Sequence, residues 1–223
     1  MTDKELIEEA KRRYLADESG NKIKHTSSAW GREYKSNVEL AKWAIYELRL
    51  KKSVTLSGLN RETGGSGYFD EIEKKLVVAG KKNIWLGVLV HEYAHLTQWV
   101  DGCKEWIEGC EGLPKVDEWL AGKRVHNIQK HLARSRDLEL DNEKRSVKLI
   151  KKYKLPIDIK SYVQRANAYV QFYNWMFYTR KWSSEKNSPY CNPNVYEQMP
   201  TTFRMNYKTM SDKYKQIYKQ NKI

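Results

Sequence analysis

Residues 83–100 read Asn-Ile-Trp-Leu-Gly-Val-Leu-Val-His-Glu-Tyr-Ala-His-Leu-Thr-Gln-Trp-Val, and this stretch decides the fold. Val88, His91 and His95 recur at intervals of three and four residues, which is the spacing of one face of an α-helix. The preceding residues 84–90 are almost entirely apolar. We therefore predict a buried helix whose inner face carries two histidines.

Within this helix, His91, Glu92 and His95 form a His-Glu-X-X-His motif. Residues i and i+4 of a helix lie one above the other, so two neutral imidazoles can hold one Zn²⁺ ion between them. The intervening glutamate can then serve as a general base. Burying these three groups without a partner would be costly. We predict a zinc site with His91 and His95 as ligands and Glu92 as catalytic base, the alternative being two hydrogen-bonded core histidines.

A catalytic zinc site needs a third protein ligand, and several residues are candidates. Asp101 stands six residues after His95, as in the longer HExxHxxGxxH/D pattern, but that pattern has glycine where this chain has Gln98. His126 and His131 are five residues apart rather than four, in a stretch predicted to be polar and exposed. These alternatives are therefore less favoured than a carboxylate further along the chain.

The favoured third ligand is Glu139, in the stretch 136–147. Glu139 and Glu143 share a helical face with Val147, whereas Asp141 points away from it. Carboxylates on the apolar side of a helix require a partner. We predict that Glu139 binds the metal and that Glu143 orients a histidine ligand through its other ring nitrogen. The alternative is a solvated pair of glutamates.

The two motifs together resemble those of gluzincin metallopeptidases, especially the compact group with HExxH on one helix and ExxxD on a later one. The resemblance covers about residues 54–152 and rests on His91, Glu92, His95, Glu139 and Glu143. Glu143 replaces the aspartate usual in that family. The resemblance implies that Glu139 is the third ligand. It also implies that an edge strand, here residues 76–79, binds an extended peptide substrate.

The fold class expected is α+β and mainly helical: a zincin-like domain with a small, mostly antiparallel sheet packed on the HExxH helix, followed by a helical C-terminal extension. We predict two domains, 1–153 and 154–223, the second basic, aromatic-rich and packed on the first. The predicted elements are helices at 3–17, 38–50, 116–132, 134–153 and 159–181, a strand at 53–59, a hairpin at 68–80, loops at 101–115 and 188–200, and a basic terminal helix. Asp158 is the predicted N-cap of the helix at 159–181.

The net charge of +13 comes from the C-terminal part of the chain, because residues 144–223 hold 17 Lys and Arg against 4 Asp and Glu. This excess can mark a surface for nucleic acid or an acidic partner, although solvated lysine-rich helices are the commoner reason. No signal peptide or membrane-spanning stretch is recognisable, and the three cysteines lack CxxC spacing. We expect a cytoplasmic protein that does not contact membranes.

The function predicted from these features is that of a zinc-dependent metalloendopeptidase, which hydrolyses peptide bonds with water activated by Glu92 and the zinc ion. Its partner would be a protein or peptide substrate. Tyr162, Tyr169 and Tyr173 are candidates for stabilising the oxyanion, and the sequence does not select one. The alternative is a zincin-fold binding protein that uses its basic C-terminal region on nucleic acid or an acidic partner.

Overall fold

The computed structural model describes residues 55–59, 67–72, 75–79, 85–155, 157–184 and 187–223. This part of the chain is mainly helical, as predicted. Its elements are β1 (Thr55–Leu59), β2 (Gly67–Asp70), β3 (Lys75–Ala79), α1 (Trp85–Asp101), α2 (Lys104–Leu120), α3 (Ile128–Lys152), α4 (Ile159–Thr179), α5 (Pro193–Tyr196) and α6 (Asp212–Gln220). The predicted helices at 3–17 and 38–50 lie outside the described residues.

The three strands form one sheet in the order β1-β3-β2. β2 and β3 make the predicted hairpin, pairing antiparallel with Phe69 opposite Leu76. In the turn between them, Asp70 Oδ1 accepts a hydrogen bond of 2.8 Å from the backbone N–H of Ile72. β1 pairs with β3 in parallel. Among the described strands the sheet is therefore mixed, with one pair of each kind, and they do not show the mostly antiparallel sheet that we expect from the sequence.

β3 is the central strand of this sheet, and not an edge strand as we had expected for residues 76–79. A strand with neighbours on both sides has no free row of backbone groups to pair with an extended peptide. The local alternation of residues could not reveal this, because the parallel partner β1 is separated from β3 by a long connection. Among the described strands, β1 and β2 are the outer ones.

The described chain forms two compact units. Residues up to Val100 and Lys148–Ile157 belong to the first unit, and Asp101–Val147 and Asp158–Ile223 belong to the second. This division differs from the predicted domains 1–153 and 154–223, which stay a prediction.

The core of the first unit lies against α1. Leu89, Tyr93 and Leu96 of this helix are almost fully buried. Phe69 of β2 contacts Trp99 of α1, with ring centroids 5.7 Å apart. The motif helix is therefore fixed by apolar packing on the sheet side, as its sequence predicts.

Helix α2 replaces the loop predicted at 101–115. Gly109 and Gly112, whose presence favours a loop, lie inside the helix together with Pro114. Both glycines are buried against α3: a Cβ on Gly109 would stand 2.6 Å from Leu138 Cδ2, and one on Gly112 would stand 3.1 Å from a backbone oxygen of α3. The glycines therefore serve close helix packing here and do not end the helix. The break predicted near residue 133 is also absent, because α3 is continuous from Ile128.

Helix α4 is the centre of the second unit. It begins as predicted, with the Asp158 carboxylate accepting a 2.7 Å hydrogen bond from the N–H of Ser161. Phe172, Tyr173 and Met176 are buried among residues of α2, α5 and α6. Most of the aromatic residues of this helix therefore belong to the core or pack against it. Among the described helices, none is both long and apolar enough to cross a membrane.

Side-chain amides of α4 hold the segment that follows α5. Asn167 Nδ2 donates to the carbonyl of Pro200 at 2.7 Å, and Gln171 Nε2 donates to that of Asn206 at 2.7 Å. Asn174 Nδ2 donates to the carbonyl of Tyr207 at 2.9 Å. These bonds satisfy backbone carbonyls of a segment that has no helix or sheet partner of its own.

Candidate metal centre

The two motif histidines lie one turn apart on α1. Their ring centroids are 4.8 Å apart and the rings are nearly perpendicular, at 86°. Both residues are half-buried, whereas Glu92 between them is buried. The i, i+4 spacing therefore places both imidazoles on one side of the helix, as the motif predicts.

Gln98 fixes the orientation of one of these rings. Its Oε1 atom lies 2.9 Å from His95 Nδ1. An amide oxygen can only accept, so the contact requires the tautomer with its proton on Nδ1, which leaves the lone pair of Nε2 available for a metal ion. Gln98 itself is fully buried. This is the arrangement by which proteins prepare a histidine to bind a metal through Nε2.

Glu139 completes a group of three ligand residues. One ligand atom each from His91, His95 and Glu139 lies within 4.8 Å of the others. Ligands bound to a tetrahedral zinc ion at about 2.1 Å lie about 3.4 Å apart, so small side-chain movements would bring these atoms to binding distance. Glu139 is only 5% exposed, and a buried carboxylate is stabilised by a nearby cation. The donor set therefore fits a divalent metal ion, and the cluster could hold one.

Glu143 lies on the same buried face of α3 as Glu139, as predicted. It hydrogen-bonds the hydroxyl of Tyr162, and burial together with the Glu143 charge raises the pKa of that hydroxyl. The Nδ1 atom of His95 contacts Gln98. The role predicted for Glu143 in orienting a histidine ligand stays a prediction.

Three tyrosines of α4 lie near the carboxylates of α3. Burial raises the pKa values of Tyr162, Tyr169 and Tyr173 well above the usual range, and the negative charge of Glu139 adds to the effect in each case. The hydroxyls of Tyr169 and Tyr173 are 3.3 Å apart. All three tyrosines therefore remain protonated at neutral pH and can donate hydrogen bonds.

The other candidates for a third ligand are placed differently. Asp101 ends α1 and forms an ion pair with Arg145. His126 is exposed in a turn, and half-buried His131 lies in the first turn of α3, where burial and the charge of Arg134 lower its pKa. Within the described residues, none of the three belongs to the cluster around His91 and His95.

A second group of potential ligands consists of Cys103, Glu105 and Asp141, whose ligand atoms also lie within 4.8 Å of one another. The three cysteines lack CxxC spacing, and the sequence did not indicate this group. Asp141 accepts a 2.7 Å hydrogen bond from Arg145 Nε. The guanidinium therefore already supplies positive charge next to Asp141.

Gln98 is the residue of this site that the sequence analysis missed as a functional group. The signal was present, because a glutamine three residues after the second histidine lies on a buried part of the helix, where a polar side chain needs a partner.

No protein-family model matches the chain, and neither a curated protein nor a solved structure does.

Proposed function

We propose that this chain is a zinc-dependent metallopeptidase with a zincin-like fold. The observation that carries the proposal is the convergence of His91, His95 and Glu139, which provides two imidazoles and one buried carboxylate. Three such ligands leave one coordination position for water or substrate, which distinguishes catalytic zinc sites from structural ones. Glu92 lies next to His91 on α1, within the same turn.

In this proposal zinc, when bound, polarises the scissile carbonyl and lowers the pKa of water. Glu92 accepts a proton from the attacking water and delivers it to the leaving amine. Gln98 holds the His95 ring through Nδ1, and Glu139 balances the positive charge. The protonated tyrosines of α4 are the candidates for donating a hydrogen bond to the oxyanion of the substrate. The substrate is a protein or peptide.

The first experiment measures the metal content of purified protein by elemental analysis, after reloading with zinc and removal of excess ion. We expect about one zinc per chain for the wild type and for Glu92→Gln, since Glu92 is not a ligand. Glu139→Ala should lose most of the zinc. His91→Ala should lose zinc in the same way. His126→Ala is its matched control and should keep the zinc, because His126 is exposed and outside the cluster. A wild-type protein that cannot be loaded would contradict the proposal.

The second experiment follows cleavage of an unfolded protein such as reduced casein. Glu92→Gln should retain zinc and lose activity by at least about 100-fold, the typical contribution of a general base. A chelator should abolish cleavage by the wild type, and zinc should restore it. If zinc-loaded wild type and Glu92→Gln cleave equally, the activity comes from a contaminant and the enzyme proposal fails.

The alternative function is that of a binding protein that keeps the metal site and acts through its basic C-terminal region on nucleic acid or an acidic partner. It predicts that Glu92→Gln leaves function unchanged. The buried glutamate beside the histidines favours the enzyme, because a structural zinc site does not require a general base.

A further inference from the structure

An exposed group of aromatic and basic side chains lies where α4 ends and α6 packs beside it. Phe177, Tyr178 and Trp182 are 39%, 57% and 49% exposed, although neighbouring aromatic residues of α4 are buried. Lys215 and Lys219 of α6 complete the group, which we call the aromatic–basic patch. The proposed metallopeptidase chemistry does not use any of these five residues.

One ring of the patch, that of Trp182, is held by the core beneath it. Trp182 makes edge contacts with the buried rings of Phe172 and Tyr173, at centroid distances of 5.5 and 6.2 Å. The rings of Phe177 and Tyr178 are 5.7 Å apart. Contact with buried residues reduces the conformational freedom of Trp182, so its exposed side is available to a partner at little entropic cost.

Positive charge lies beside one of these rings, that of Tyr178. Lys215 Nζ is 5.1 Å from the centre of the Tyr178 ring. Lys219 is exposed and follows Lys215 by one helical turn, which places both lysines on the same side of α6. Asp212, which forms a 3.0 Å ion pair with Lys215, is the acidic residue of α6. The whole region 144–223 holds 17 basic residues against 4 acidic ones.

We propose that the aromatic–basic patch binds single-stranded nucleic acid. Exposed aromatic rings can stack on bases, and adjacent lysines can neutralise the phosphates of the same strand. An acidic peptide would use the lysines but has no need for three exposed rings. Duplex nucleic acid would hide its base faces from the rings, which makes a single strand the better fit.

The test is fluorescence anisotropy of 20-nucleotide oligo(dT) and oligo(U) probes over a range of salt concentrations, with chelator present so that cleavage cannot contribute. We expect the wild type to bind both single strands more tightly than a duplex of the same length. Tyr178→Ala should weaken binding about 10-fold through loss of one stacking contact, whereas Tyr178→Phe should bind like the wild type. Lys219→Gln should lower the slope of log affinity against log salt by about 0.7.

Two variants on α2 provide matched controls. Ile107→Ala removes an apolar side chain that is 53% exposed, and Lys104→Gln removes one positive charge outside the patch. Neither variant should change the affinity for the single strands by more than about twofold, because in the proposal the lysines of the patch make the phosphate contacts. Thermal unfolding verifies that each variant is folded.

The proposal is overturned if the wild type does not bind the single strands, or if it binds duplex equally well. It is also overturned if Tyr178→Ala and Tyr178→Phe bind alike, or if Lys104→Gln weakens binding as much as Lys219→Gln does. Because the measurement needs neither zinc nor peptide cleavage, its failure and a failure of the metallopeptidase proposal can be told apart.

Discussion

The hydrogen bond between Gln98 and His95 provides the sharpest prediction about the metal site. Gln98→Leu replaces the amide by an apolar group of similar size and removes the acceptor that lies 2.9 Å from Nδ1. Loss of such an outer partner typically lowers metal affinity by about 10- to 100-fold, which corresponds to about 1.4 to 2.7 kcal/mol. Because Gln98 is fully buried, solvent cannot easily replace the lost acceptor. We therefore expect an effect near the middle of this range.

Gln98→Leu should lower the stability of the metal-free protein by less than it lowers the free energy of zinc binding. Removing one partner of a buried hydrogen bond costs about 1–3 kcal/mol, and the half-buried His95 ring places Gln98→Leu toward the lower end. Urea unfolding in chelator measures this cost. Competition with a fluorescent zinc chelator measures the dissociation constant for zinc.

The matched control for this prediction is Gln98→Glu, which keeps an acceptor oxygen at the same place. A carboxylate acceptor raises the basicity of the ring, so the control should bind zinc at least as tightly as the wild type. The reasoning is refuted if Gln98→Leu binds zinc within twofold of the wild type while both proteins are folded. That result would mean that the Nδ1 contact does not orient a ligand.

Three further predictions concern residues of the second unit. Gly109→Ala should destabilise the fold by about 1–3 kcal/mol in urea, because the new methyl would overlap Leu138. Leu138→Ala should relieve only part of the clash, since the Cβ of residue 138 would remain 2.7 Å from the new methyl. Burial and the nearby Glu139 charge raise the pKa of Tyr173, so the unfolded chain releases its phenolic proton near pH 10 while the folded chain keeps it. The free energy of unfolding should thus fall above pH 10, by up to about 1.4 kcal/mol per pH unit from this residue, and Tyr173→Phe should show a shallower fall. Burial also raises the pKa of Cys103, so mass spectrometry should find it alkylated by iodoacetamide at pH 8 more slowly than the exposed Cys191; equal rates would contradict this.

The sequence predicted several helices because their signals are local. The face carrying His91 and His95, and the Asp158 cap of α4, are patterns within one or two helical turns. The structure contains both. The buried face of α3 that carries Glu139 was predicted in the same way, from the position of the carboxylates relative to Val147.

The errors arose where a residue's role depends on a distant neighbour. Gly109 and Pro114 were read as loop residues, but α2 needs the glycine because Leu138 of α3 approaches it closely. The sequence predicts an edge strand at residues 76–79, but the parallel partner β1 makes β3 central. Neither contact leaves a signal in the neighbouring sequence.

The sequence was enough to predict that His91 and His95 lie together as candidate ligands, since helical geometry alone brings residues i and i+4 to one side of a helix. The sequence favoured Glu139 over Asp101 as their partner, but the fold alone shows that Glu139 lies beside these histidines and that Gln98 contacts the His95 ring. The physical reason is that a metal site is defined by distances between side chains on separate helices. Those distances follow from how the helices pack, and packing depends on the shape of the whole buried surface and not on any single segment.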